Sequence, residues 1–188
     1  MATIAYISLG SNTGNLCANL NLALRELSSL KDAHCLACSP FFHTEPQNRR
    51  DQPWFANAAA MFHLEQYWNA GLFLEKMQEI ELKLGRRRER EMRFGPRTID
   101  LDLIMFGAEK SADPFCILPH PRASERAFVL LPLLTIAPSL HINFKSLKEC
   151  LSLLNWRLRG FSLWQEEKAQ NIGKDSPFQE PLKIGAGR

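Results

Sequence analysis

The sequence has no apolar stretch approaching the ~20 residues that a membrane helix needs, so a helical span is not expected. Its opening, MATIAYISLGSN, lacks a basic leader, an apolar run and a small-residue cleavage site, so no export signal is expected either. There is no cysteine framework. The five cysteines (Cys17, Cys35, Cys38, Cys116 and Cys150) are odd in number and irregular in spacing, which points to reduced thiols in a cytoplasmic protein. Charge of neither sign dominates: 23 Lys and Arg stand against 20 Asp and Glu, a net of +3. That small surplus gives no ground for a nucleic-acid partner, which calls for a strongly basic face. No repeat of solenoid period is present. Gly10-Ser11-Asn12-Thr13-Gly14 lacks the lysine of a phosphate-binding P-loop and reads as a tight turn at the border of a site. Cys35-Leu36-Ala37-Cys38 lacks partner ligands and the strand–helix setting of a thiol oxidoreductase, so it reads as a structural pair within a strand.

What is present is ordinary for a folded domain: 188 residues, 45% apolar and 23% charged. Residues 3–9 are rich in strand formers. Leu16, Leu20, Ala23, Leu24, Leu27 and Leu30 then recur at helical spacing behind a capping Asn15. Residues 35–44 read as a strand, with Pro40 at an edge or bulge. Residues 45–54 read as a long exposed loop in which Trp54 is a lid or surface residue, and residues 55–65 read as a strand. Phe73, Met77, Ile80 and Leu84 stripe a helix that Gly85 can end. A charged loop spans 86–97, a strand 98–106, and a short strand lies near 115–118. Helices are expected over 125–136 and 145–157. The order predicts an α+β fold, an antiparallel or mixed sheet with helices on one face and further helices at the C-terminal end. Residues 1–157 are expected to form one domain, and 158–188, lacking an apolar period, a flexible tail.

The strand TIDLDLIMF carries the chemistry. Side chains two apart share a face, so Ile99, Leu101, Leu103 and Met105 point one way. Asp100 and Asp102 point the other way, with Cα atoms roughly 6.5–7 Å apart. Adjacent carboxylates repel and need a compensating cation, such as Mg²⁺ with its preference for carboxylate and phosphate oxygens. The spacing alone equally allows a solvated face. Ile104 and Phe106, placed on the same side, count against that. Residues 86–97 hold six arginines and two glutamates, a surplus of four positive charges that runs directly into the acid pair. Arginine is suited to bidentate phosphate contact, so the combination reads as a site for a metal-bound polyphosphate rather than a solvated run.

Gly10-Ser11-Asn12, Asp51-Gln52-Pro53 leading to Phe55-Ala56-Asn57-Ala58, GPRTIDLDLIMFG at 95–107, Pro119-His120-Pro121-Arg122 and Glu125-Arg126-Ala127-Phe128-Val129-Leu130 together carry a resemblance. The chain resembles the 6-hydroxymethyl-7,8-dihydropterin pyrophosphokinase family over most of residues 3–156. The resemblance implies a ferredoxin-like sheet and transfer of the β,γ-diphosphoryl group of ATP to a pterin hydroxymethyl oxygen. Two Mg²⁺ ions are implied, with Asp100 and Asp102 as their ligands. It implies that Arg86 and Arg97 steer the triphosphate, that Arg88 is a mobile loop arginine, and that His120 and Arg126 contact nucleotide or phosphate. Gln78 and Glu81 would face the nucleotide, and Thr44, Phe55, Asn57, Phe94 and Phe128 would form the pterin pocket, with Phe94 standing where the family often has Trp. The partners implied are ATP and the pterin, with no nucleic acid and no membrane, and the chain is expected to act as a monomer. The route by which the hydroxyl loses its proton stays open between Asp100 and metal polarisation. A basic RNA-binding domain of ferredoxin-like shape is the rival, but it would not put two acids on its sheet face.

Overall fold

The central strand β1 (Thr3–Ser11) buries Ala5, Ile7 and Leu9 on one face, the alternation expected of its apolar residues. In the computed structural model, which describes residues 1–86 and 95–166, it is followed by α1 (Leu16–Ser28), β2 (Ala33–Cys38), β3 (Phe42–Thr44) and β4 (Phe55–Leu64). Next come α2 (Ala70–Lys83), β5 (Asp100–Phe106), α3 (Ala127–Ile136), β6 (His141–Ile142) and β7 (Lys145–Ser146). The chain continues through α4 (Leu147–Ser152), β8 (Trp156–Arg159) and β9 (Ser162–Gln165). Both long helices start where their caps dictate. Asn15 accepts from Ala18 N at 3.1 Å and Asn69 from Leu72 N at 2.9 Å, each satisfying an otherwise orphaned helical N–H.

The main sheet runs β5-β1-β4-β3-β9-β8, and β2 pairs with the far half of β4. Its β5-β1-β4-β2 part is antiparallel throughout and has the strand order of a ferredoxin-like split β-α-β unit. The β3–β9 pair is parallel and makes the sheet mixed, so the fold is α+β as expected.

Helices cover both faces rather than one. Leu20, Ala23 and Leu27 of α1 and Phe73, Met77 and Ile80 of α2 pack with Ile7, Leu9, Ala58 and Leu101. On the opposite face α3 and α4 bury Leu130, Leu133, Leu147 and Leu151 against Ala59, Ile104 and Leu163. Segregating the two clusters lets a strongly apolar α3 be buried without competing for the α1–α2 layer.

Four local expectations change. The strand expected over 35–44 is two strands, because Pro40 donates no ladder hydrogen bond and Ser39 bonds back to Ala59 through both its N–H, at 2.9 Å, and its Oγ. In β5 the pairing with β1 slips between Tyr6 and Ile7, so Ile104 is an extra residue. The slip inverts the alternation: Met105 joins the α3 side and Phe106 the α1–α2 side, opposite to a regular strand. Near 115–118 there is only a bridge between Ser111 and Leu118. The last helix stops at Ser152, and residues 158–166, read from the sequence as the beginning of a tail, belong to the sheet. The segment WRLRGFSLW alternates and turns at Gly160 (φ 59°), a hairpin signal. Residues 167–188 lie outside the described residues.

The buried Leu163 ties this hairpin to the α3–α4 core. Leu163→Ala is expected to cost about 2–4 kcal/mol in urea unfolding. Unchanged stability would show that the hairpin is not part of the cooperative fold.

Candidate active site

The site begins with one row across three strands. Gly10 of β1 lies opposite Asn57 of β4 on one side and Asp100 of β5 on the other, and Ser8 lies opposite Asp102. All face the side away from α1 and α2. A Cβ on Gly10 would stand 2.7 Å from Asn57 Oδ1, closer than side chains tolerate. Glycine is therefore the residue that lets Asn57 and Asp100 project into the same space.

The carboxylates do not stand in free solvent. Asp100 is half-buried and receives Arg86 on one oxygen and Arg97 on the other, the latter at 3.0 Å. Asp102 pairs with Arg126 at 3.4 Å. Glu81, reaching round from α2, is almost fully buried; its Oε1 accepts from Leu101 N at 2.7 Å and from Arg86. Burial works against the Arg86 charge, but Asp100 and Glu81 more than offset it and hold its pKa above the ordinary value. Asp102 shows the opposite balance. Burial, reinforced by the neighbouring Asp100 charge, pushes its carboxyl above the usual range despite His120, Arg126 and Arg97. Burial also lowers the pKa of His120 and of Arg126. His120 is fixed by its own loop: its main-chain N–H donates to Ile104 O at 2.9 Å, and its ring Nδ1 accepts from Arg122 N at 3.2 Å.

Asn12 organises the rim. Its Oδ1 accepts from Arg97 N at 2.7 Å, its own N–H donates to Arg97 O at 3.1 Å, and its amide nitrogen donates to Gln52 Oε1 and Pro53 O, both at 3.1 Å. One buried side chain thus joins the end of β1, the 45–54 loop and the backbone of Arg97. The Arg97 guanidinium lies over the Phe55 ring at 5.1 Å, and its buried Nε has no hydrogen-bond partner among the described residues.

These groups enclose a cavity of about 450 Å³, the size of a small-molecule site. Of the expected residues, Thr44, Phe55, Asn57, Arg86, Arg97, Asp100, Asp102, His120, Arg126 and Phe128 all line it. Asn57 is oriented there by donating to the buried Thr44 Oγ1 at 2.5 Å. Gln78 and Glu81 do not line it: α2 packs on the other face of the sheet, and Glu81 acts by holding Arg86 and the start of β5. Arg88 and Phe94 lie outside the described residues. Ser8, Gln47 and Asn48, which carry no signal in the sequence, also form the wall, together with Glu45 and Gln52. Asp51-Gln52-Pro53 was noticed only as a motif, and the loop that holds it was read as exposed. Gly10-Ser11-Asn12 was likewise read as a turn, whereas β1 runs through Ser11.

The donor set fits a hard divalent cation. Asp100 and Asp102 offer oxygens on one strand face, and the half-buried Asp102 carboxyl keeps a raised pKa even with Arg126 beside it. No cluster of three His, Cys, Asp or Glu ligands exists among the described residues, so such an ion would depend on oxygens from a bound substrate or water.

Fold and site together define an α+β protein with an arginine–carboxylate cavity at one end of a ferredoxin-like sheet. Comparison with known proteins makes this more specific. The chain belongs to the 7,8-dihydro-6-hydroxymethylpterin-pyrophosphokinase (HPPK) family, whose model matches residues 6–138. It is 40% identical over 153 residues to a 2-amino-4-hydroxy-6-hydroxymethyldihydropteridine pyrophosphokinase of Methylorubrum extorquens, covering 81% of this chain and 94% of that protein. It is 40% identical over 136 residues to the protein of that name in Bacillus subtilis, covering 72% and 79%. A folate synthesis bifunctional protein of Arabidopsis thaliana is 33% identical over 187 residues, and there the chain spans only 37% of the relative. Among solved structures, an HPPK-DHPS in complex with substrates aligns with TM-score 0.60 at 12% identity, over 81% of this chain and 43% of that one. Plasmodium falciparum HPPK-DHPS aligns with TM-score 0.57 at 12% identity, over 80% and 43%. At that identity the likeness concerns the fold, and the chain spans less than half of those structures.

Because the folded state holds the Asp102 pKa high, the stability linked to its proton is fully present below the ordinary aspartate range. It is lost as pH rises through the folded pKa. Asp102→Asn is therefore expected to stabilise the protein at neutral pH, without divalent ions, and to leave stability unchanged at acid pH. Urea midpoints across that range check this; a variant less stable at neutral pH would contradict it.

Proposed function

We propose that the chain transfers the β,γ-diphosphoryl group of ATP to the hydroxymethyl oxygen of 6-hydroxymethyl-7,8-dihydropterin, giving AMP and the pterin diphosphate in folate biosynthesis. Family membership and a relative matched over 94% of its length support the reaction. The observation that carries the site is the convergence of Arg86, Arg97 and Arg126 on Asp100 and Asp102 within one cavity.

In the reaction the pterin hydroxyl gives up its proton, which ends in solvent, and its oxygen bonds to the β-phosphorus while the bond from that phosphorus to the oxygen bridging the α-phosphate breaks, and AMP leaves carrying that oxygen. The protein's task is to align the two substrates and compensate charge, since little covalent chemistry falls to it. Asp100 and Asp102 would hold Mg²⁺, which when bound neutralises phosphate charge and acts as a Lewis acid. Arg97 and Arg126 can turn from carboxylate to phosphate oxygens, and the unsatisfied Arg97 Nε is a ready donor. His120, its Nδ1 occupied by Arg122 N–H and its pKa lowered, is a neutral ring with the proton on Nε2, able to donate without adding charge. Thr44 and Asn57 supply polar groups for the edge of a flat heterocycle, and Phe55 and Phe128 supply rings for its faces. We read the chain as a monomer acting on the two small molecules ATP and the pterin, without a nucleic-acid or membrane partner. No helix among the described residues is long and apolar enough to cross a membrane, and free Cys17, Cys35 and Cys38 at the surface suit a reducing cytoplasm.

Purified protein given Mg²⁺, ATP and the pterin is expected to release AMP. Asp100→Ala and Asp102→Ala are each expected to fold and to lose roughly a hundredfold or more in kcat, and Arg97→Ala a similar factor. Full activity in both aspartate variants would remove the metal-ligand assignment. RNA binding without Mg²⁺-dependent ATP binding would instead favour the rival reading.

A further inference from the structure

The hairpin β8–β9 lies beyond the segment that the family model matches, yet it touches two walls of the cavity. Its last residue, Gln165, is buried and uses every polar group of its side chain. Its Oε1 accepts from Ala127 N at 2.6 Å and its Nε2 donates to Glu125 O at 2.7 Å. Those two groups flank Arg126, the partner of Asp102, and open the helix that carries Phe128. Arg126, the N-cap residue of α3, makes no capping bond with its own side chain, and Gln165 fills that place from across the chain. The main-chain oxygen of Gln165 meanwhile accepts from Gln47 Nε2 at 3.0 Å, on the opposite wall.

A second grip lies outside the cavity. Trp164 packs edge-on to Trp54 at 5.2 Å, Trp54 lies 4.8 Å from His43, and Arg157 sits over the Trp164 ring at 4.9 Å. Trp54 is thus held at the end of the 45–54 loop by a side chain of β9. In addition, β9 pairs directly with β3, and Glu45 N donates to Leu163 O at 3.0 Å, so the backbone after Thr44 is set by the same strand.

We propose that the β8–β9 hairpin is a positioning clamp for the substrate cavity, with Gln165 fixing Arg126 and the start of α3 while Trp164 and the Gln165 backbone hold the 45–54 loop. This rests on the reaction proposed above for its kinetic consequence, though not for its structural one. Preordering both walls removes a cost that binding would otherwise carry, so loosening the clamp weakens the fit of the pterin. Gln165 and Trp164 are positioning residues: neither lines the cavity.

The test uses the full chain with Gln165→Leu, Trp164→Leu and Trp164→Phe. Amide hydrogen exchange is expected to quicken roughly tenfold over residues 45–54 in Trp164→Leu, and over both 45–54 and 126–129 in Gln165→Leu, with α1 and α2 unchanged. The KM for the pterin is expected to rise roughly tenfold in both leucine variants, as for loss of one well-made contact, and to stay near wild type in Trp164→Phe. A merely structural defect would lower the amount of active enzyme at constant KM. Unchanged exchange over the 45–54 loop in both leucine variants overturns the clamp, as does an unchanged pterin KM in an active enzyme. A wild-type protein that forms no AMP would defeat the reaction reading instead, and hydrogen exchange would still decide the clamp. Should Gln165→Leu fail to fold, the half-buried Trp164 supplies the same decision.

Discussion

Two carboxylates one residue apart on a covered strand face are the constraint from which the rest of the site follows. Their mutual repulsion grows as water is excluded, and an uncompensated buried charge costs several kcal/mol. The chain answers with three guanidinium groups from three places: Arg86 after α2, Arg97 before β5, and Arg126 before α3. Each is held by something else. Glu81 anchors Arg86, Asn12 grips the backbone of Arg97, and Gln165 fixes the peptides around Arg126. A buried glutamate and a buried asparagine that do not line the cavity thereby hold the groups that do.

The compensation is unequal, and the inequality is informative. Asp100 has two arginines, whereas Asp102 has among the described residues one ion-pair partner, at 3.4 Å, and a raised pKa. A site optimised for the stability of the empty protein would not leave such a group short of positive charge. That arrangement leaves a demand for positive charge of the kind a divalent cation would meet, and it illustrates why binding sites are seldom the most stable version of a fold.

The cavity is assembled from both ends of the chain. Its floor is the β1–β4–β5 row, where the missing side chain of Gly10 makes room for Asn57 and Asp100. Its walls are the 45–54 loop and the start of α3, which share no sequence neighbourhood and are joined through β9. The bulge at Ile104 serves the same layout. By changing the phase of β5 it sends Met105 towards α3 while Asp100 and Asp102, before the bulge, keep facing the cavity.

Local pattern was enough to expect the helix striped by Leu16 to Leu30, the helix striped by Phe73, Met77, Ile80 and Leu84, the strands over 3–9 and 55–65, and the acid pair of β5, because each rests on apolar residues, caps or charges within a few positions. Of the ten expected residues that line the cavity, Asp100, Asp102, Arg86 and Arg97 stand out by their charge pattern, whereas Thr44, Phe55, Asn57, His120, Arg126 and Phe128 were expected only from the family resemblance. Other features depend on partners far away in sequence. The phase change at Ile104 exists only against β1, and the role of Glu81 only against Leu101 and Arg86. Gln165 acquires meaning only beside Glu125 and Ala127. Periodicity along the chain therefore determined which segments are helices and strands and which carry charge. Pairing across the chain decided which side chains share a cavity, since hydrogen-bond register and burial are properties of two segments at once.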